Sequence, residues 1–109
     1  MKPNRHETER QLTRAENELF AAISSLRTTP EARSFLVDLC TPAELQALVD
    51  RWQVVVCLQK DLPYRKIHDL TGVSVTTIGR VARCLLDGSG GYQTALDRSS
   101  YPGKSDGTF

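Results

Sequence analysis

No apolar run in the 109 residues approaches the roughly 20 needed to cross a bilayer. The opening stretch MKPNRHETER carries no apolar signal region, so a cytoplasmic, nucleoid-associated protein with no membrane partner is expected. Charge of one sign is also missing: 14 Lys and Arg against 13 Asp and Glu give a formal net charge of +1, so partners must be read from local charge. Cysteines number three, Cys40, Cys57 and Cys84, an odd count with no CxxC pair. That argues against a disulfide framework, and the spacing offers no metal site, so no metal or cofactor is expected. Only two histidines occur: His6 in a polar tail, and His68. Strand alternation, an internal repeat, a glycine-rich phosphate loop, and a nucleophile with its base are all absent, which leaves an all-helical chain that is not an enzyme.

The stretch Tyr64 to Leu86, YRKIHDLTGVSVTTIGRVARCLL, reads as two short helices joined by a tight turn. Ile67 and Leu70 give the first helix its apolar face. Gly72 follows where a helix end needs positive φ without steric cost. Val73 is an apolar turn residue suited to packing between the helices, and Ser74 can cap the second. There Val75, Ile78, Ala82 and Leu85 recur at helical spacing, leaving Thr76, Gly79, Arg80 and Arg83 on the opposite face. With Arg65 and Lys66 at the start of the first helix and Asp69 alone opposing them, the unit is locally basic. A helix-turn-helix needs this arrangement: the first helix braces across the DNA backbone and the second enters the major groove. Arginine suits both phosphate and guanine because its planar guanidinium donates two parallel hydrogen bonds. One feature departs from the commonest form, in which a small residue four before the glycine lets the helices approach. His68 stands there, and is expected to turn outward toward DNA.

Ahead of this unit, residues 1–8 read as a mobile polar arm. From Glu9 the spacing of Leu12, Leu19 and Leu26, with Ala15, Phe20, Ala22 and Ile23, predicts a long helix. Thr28-Thr29-Pro30 ends it and opens another, with Thr29 as cap; this second helix carries Phe35, Leu36 and Leu39. Thr41-Pro42-Ala43-Glu44 is a strong helix start, and the helix runs to about Leu58. That helix is apolar on two sides, more than one small domain can cover, which predicts packing against a second copy. Gly88-Ser89-Gly90-Gly91 breaks the chain before a short helix from Tyr92 to about Asp97, and residues 98–109 read as a disordered tail. The domain is thus expected over 9–97, with the helix-turn-helix at about 64–86.

The segments LCTPAELQALVDRWQVV and YRKIHDLTGVSVTTIGR together resemble the tryptophan repressor family, and most closely its YerC/YecD branch; the resemblance covers roughly Leu12 to Leu96. It implies an intertwined helical homodimer carrying a helix-turn-helix, whose recognition helices enter successive major grooves of palindromic double-stranded DNA. By position it implies DNA contacts at Tyr64, Arg65, His68, Val75, Thr76 and Gly79, to which the exposed face of the second helix adds Arg83. It also implies a ligand pocket at Leu39, Thr41, Arg51, Val55, Arg80, Val81 and Cys84, with Arg51 and Arg80 in the place of the two arginines that sandwich the corepressor indole. The family's glycine after the second arginine is Val81 here, and its ligand-binding serine is Cys84. A valine side chain would fill the space of the indole, so the expectation is a corepressor other than tryptophan, or none.

The reading is a sequence-specific transcriptional regulator, a repressor by family analogy. Its rival is a helical dimer that docks a protein partner and whose basic face is incidental.

Overall fold

The computed structural model describes residues 8–99, which form six helices and no strand. The arm and tail expected at the two ends fall, apart from Thr8, Arg98 and Ser99, outside the described residues. The helices are α1 (Glu9–Ser24), α2 (Thr29–Leu39), α3 (Pro42–Gln59), α4 (Tyr64–Thr71), α5 (Val75–Asp87) and α6 (Gly91–Arg98). The chain divides into two units, Met1–Thr41 and Pro42–Phe109.

In the first unit, Thr8 opens α1 with a reciprocal cap: its hydroxyl accepts from Gln11 N–H at 3.2 Å, and the Gln11 carbonyl oxygen accepts from Thr8 N–H at 2.8 Å. The helix stops at Ser24, short of Leu26. Thr28, not Thr29, caps α2, accepting from Glu31 N–H at 3.2 Å, so Pro30 falls at the second helical position. Glu31 in turn accepts from Arg27 N–H at 2.9 Å. Neither helix buries a single residue: Leu12, Leu19, Phe20 and Ile23 of α1 and Val37 and Leu39 of α2 all stand exposed.

The second unit holds the core, made of Val54, Val55, Cys57, Ile67, Val73, Ile78, Val81 and Leu96, with Trp52, Leu58, Leu62, Leu85 and Tyr92 packed against it. Only the C-terminal half of α3 is buried; Leu48 and Val49 in its first half are exposed. The end of α3 closes in a double-bonded turn, with Leu62 N–H donating to the Cys57 carbonyl at 3.3 Å and Asp61 N–H to that of Leu58 at 2.9 Å. Asp61 takes the left-handed conformation that such a cap requires, φ 64°, where glycine is the usual occupant. Burial pushes the Cys57 thiol up from its ordinary pKa, against the opposing pull of Lys60. The α6 helix is pinned by Leu96 and by Tyr92, whose ring lies 6.4 Å from that of Trp52 at a 50° tilt.

Two packing expectations change. Val75, expected on the packed face of α5, is 54% exposed, and Val81 takes its place in the core at 1%. The buried residues of α5 are therefore Ile78 and Val81, with Leu85 half-buried beside them, while Val75 and Thr76 at the start of the helix lie outside the core. Leu70 of α4 is likewise exposed, leaving Ile67 as that helix's only buried residue.

Two substitutions separate packing from backbone strain. Ile78→Ala is expected to cost about 2–5 kcal/mol by deleting fully buried methyl groups. At Gly72, φ is 75° and an added Cβ would meet nothing within 4 Å, so Gly72→Ala should cost only the left-handed penalty, about 1–2 kcal/mol. Urea unfolding of both variants checks the ranking.

Candidate nucleic-acid interface

The helix-turn-helix forms with the caps its sequence predicts. Gly72 closes α4, its N–H donating to the His68 carbonyl at 2.8 Å. Val73 then drops into the core, and the Ser74 hydroxyl caps α5 by accepting from Thr77 N–H at 3.2 Å. Burial of Ile67, Val73 and Ile78 around one turn fixes α4 against α5, and the faces pointing away from that core carry the expected contacts.

Arg65 and Lys66 are exposed in the first turn of α4, where Pro63 supplies no side-chain cap. First-turn N–H groups flanked by cations are a favourable setting for a phosphate. On α5, Val75, Thr76, Arg80 and Arg83 are exposed and Gly79 is half-buried. A Cβ added at Gly79 would lie 4.0 Å from Cε2 of Tyr64, so the Tyr64 ring and the bare backbone of α5 are neighbours. The fold thus brings Tyr64 and Gly79 together and leaves Arg65, Val75, Thr76 and Arg83 open to solvent.

His68 is the exception. Its Nδ1 lies 2.7 Å from the Val73 carbonyl, so one ring nitrogen is engaged with the turn instead of facing outward. Thr71 was not anticipated either: its hydroxyl donates to the Ile67 carbonyl at 2.7 Å and accepts from Val73 N–H at 3.1 Å. A threonine two residues before an irregular N–H is a readable turn signal, and Thr71 had it.

Of the residues expected at a ligand pocket, two line separate clefts of the second unit. Arg51 lines a cleft of about 320 Å³ with Ala47, Asp50, Gly72, Val73, Ser74 and Thr77. Cys84 lines another with Gly88, Ser89, Gly90, Gly91 and Tyr92. Val55 and Val81 belong to the core, and Arg80 is exposed on the α5 surface. In the first unit, Leu39 is exposed at the end of α2, and Thr41 is exposed. Asp50 and Thr77 were missed because their relevance depends on α3 lying beside the turn, which spacing does not disclose. Among the described residues no group of three His, Cys, Asp or Glu could hold a metal ion.

A capped second helix fixed by a buried turn residue, inside an all-helical chain, defines a helix-turn-helix protein. The chain belongs to the Trp repressor family: the family profile described as Trp repressor protein matches residues 15–100. The uncharacterized protein YerC of Bacillus subtilis (strain 168) is 44% identical over 82 residues, which span 75% of this chain and 79% of YerC. A Trp-repressor crystal structure from Staphylococcus aureus superposes with a TM-score of 0.77 at 34% identity, covering 89% of this chain and 99% of that one. A TrpR-like protein from Eubacterium eligens gives a TM-score of 0.75 at 37% identity, covering 84% and 94%.

Val81→Gly tests whether the valine is what excludes an indole. The variant is expected to lose about 2–4 kcal/mol, from glycine inside a helix and from the lost core methyl groups, and to acquire tryptophan binding measurable by calorimetry. A folded variant that still ignores tryptophan would remove the steric account.

Proposed function

We propose that this protein is a DNA-binding transcriptional regulator, a homodimer that places its two α5 helices in successive major grooves of a palindromic operator and represses. The observation that carries the reading is the open face of α5: Thr76, Arg80 and Arg83 stand exposed on a helix capped by Ser74 and anchored by Ile78, beside the exposed cations of α4. Phosphate contacts from α4 fix the register, and the first turns of α5 read base edges. Membership in the Trp repressor family supports the same reading. The dimer is supported by the apolar surface the chain leaves uncovered: α1 buries no residue, and Leu48 and Val49 of α3 are exposed. A two-fold partner would cover such stripes with copies of themselves. Regulation by tryptophan is disfavoured, because Val55 and Val81 are packed solidly into the core.

Selection from a random duplex library by the purified protein, with and without tryptophan, tests this. The expected result is a palindrome with half-sites about one helical turn apart, enriched equally in both arms. A folded dimer that enriches nothing, and whose duplex affinity lacks a steep linear fall with log salt, would turn the reading toward a protein partner. On the selected duplex, Arg65→Ala is expected to weaken binding by about 1–3 kcal/mol if it grips a base edge; a loss equal on all sequences would assign it to phosphate.

A further inference from the structure

Two side chains hold the turn between α4 and α5, and together they engage both backbone groups of Val73. Thr71 takes the N–H at 3.1 Å, and His68 takes the carbonyl at 2.7 Å through Nδ1. A carbonyl only accepts, so Nδ1 must carry a proton. In the neutral ring Nε2 is then left with a lone pair and no hydrogen. Among the described residues, no second hydrogen bond is made by this ring, whose residue is exposed on α4.

That polarity bears on the role of His68. The phosphate oxygens of DNA are acceptors, and a neutral imidazole tied by Nδ1–H has no second donor to offer them. What the ring does supply is a fixed point on the turn. With the Val73 side chain buried and its carbonyl held by His68, the peptide plane into Ser74 is restrained, and the Thr71 bond restrains the plane before it. Ser74 adopts φ −64°, ψ 150° as the cap of α5, so the direction of the recognition helix is set at that peptide. His68 occupies the site where a small residue ordinarily allows close helix approach, and the hydrogen bond gives the larger ring a defined place along the turn.

We infer that His68 is a positioning residue for DNA recognition, acting through the Val73 carbonyl to fix the direction of α5. This rests on the DNA-binding reading above. It makes sequence-specific binding sensitive to His68 and leaves non-specific phosphate binding unaffected, since only base-edge contacts depend on the helix angle.

The test uses three variants and one spectrum. His68→Asn puts an amide donor near the place of Nδ1, His68→Gln puts one near the place of Nε2, and His68→Ala supplies neither. Affinity for the selected duplex is expected to fall about tenfold in His68→Ala and His68→Gln, the scale of one hydrogen bond, and to be largely restored in His68→Asn. Affinity for an unrelated duplex at the same salt should be unchanged in all three. Nitrogen-15 NMR of the free protein should find Nδ1 protonated in the neutral ring. Retention by His68→Gln with loss in His68→Asn would mean an outward contact and overturn the proposal. So would equal affinities throughout, or a loss as large on the unrelated duplex. Selection of DNA by a protein whose neutral ring is protonated at Nε2 would overturn the positioning role alone. If the unmodified protein selects no duplex, the DNA-binding reading fails and the positioning role fails with it, even with Nδ1 protonated.

Discussion

Burial of Val73 inside a turn that passes through positive φ is the constraint on which the second unit depends. An apolar side chain can enter the core there only because Gly72 turns the chain at φ 75° without a Cβ to oppose it. Burying that side chain also takes the adjoining backbone groups away from water, and an unpaired amide would carry a penalty comparable to a lost hydrogen bond. Thr71 and His68 remove that penalty. The same turn therefore contributes a core residue, ends one helix and aims the next.

Core and interface are two faces of the same short helices. On α5 the stripe Ile78, Val81 and Leu85 turns inward, while Thr76, Arg80 and Arg83 remain on the surface. Because the packed stripe begins at Ile78, Val75 and Thr76 at the start of α5 stand clear of the core. An exposed valine at position 75 has little to offer stability, but a projecting first turn is what major-groove entry requires. Packing and access are compatible here because they draw on opposite faces of one helix.

The helix-turn-helix was legible in the sequence because its chemistry is local: a glycine at the left-handed position, a serine at the cap, and an apolar residue between them. The six helices and the start of α3 were legible for the same reason. What escaped was whatever depends on a neighbour outside the segment. On α5, the rows 75-78-82-85 and 78-81-85 fit helical spacing equally well, and only the position of α3 decides between them. Thr28 and Thr29 offer two caps one residue apart, and the bond to Glu31 N–H selects the first. The partner of His68 sits five residues along in irregular backbone, where no periodicity applies. The pocket residues were carried over by position along the chain, which carries no information on burial; that Val81 lies in the core depends on what its side chain faces.

The lack of any buried residue in α1 bears on how the chain comes to be folded. A helix of 16 residues is marginal in water by itself, since its internal hydrogen bonds barely offset the entropy of ordering it. Its cap fixes where it begins without supplying much of that deficit. In the homodimer proposed above, the remainder comes from a second chain, which makes ordering of α1 a bimolecular event, whereas the second unit carries its own core. Dilution would then melt the two parts separately, and in the cell the abundance of the protein would set how much of it is in the form able to span two grooves.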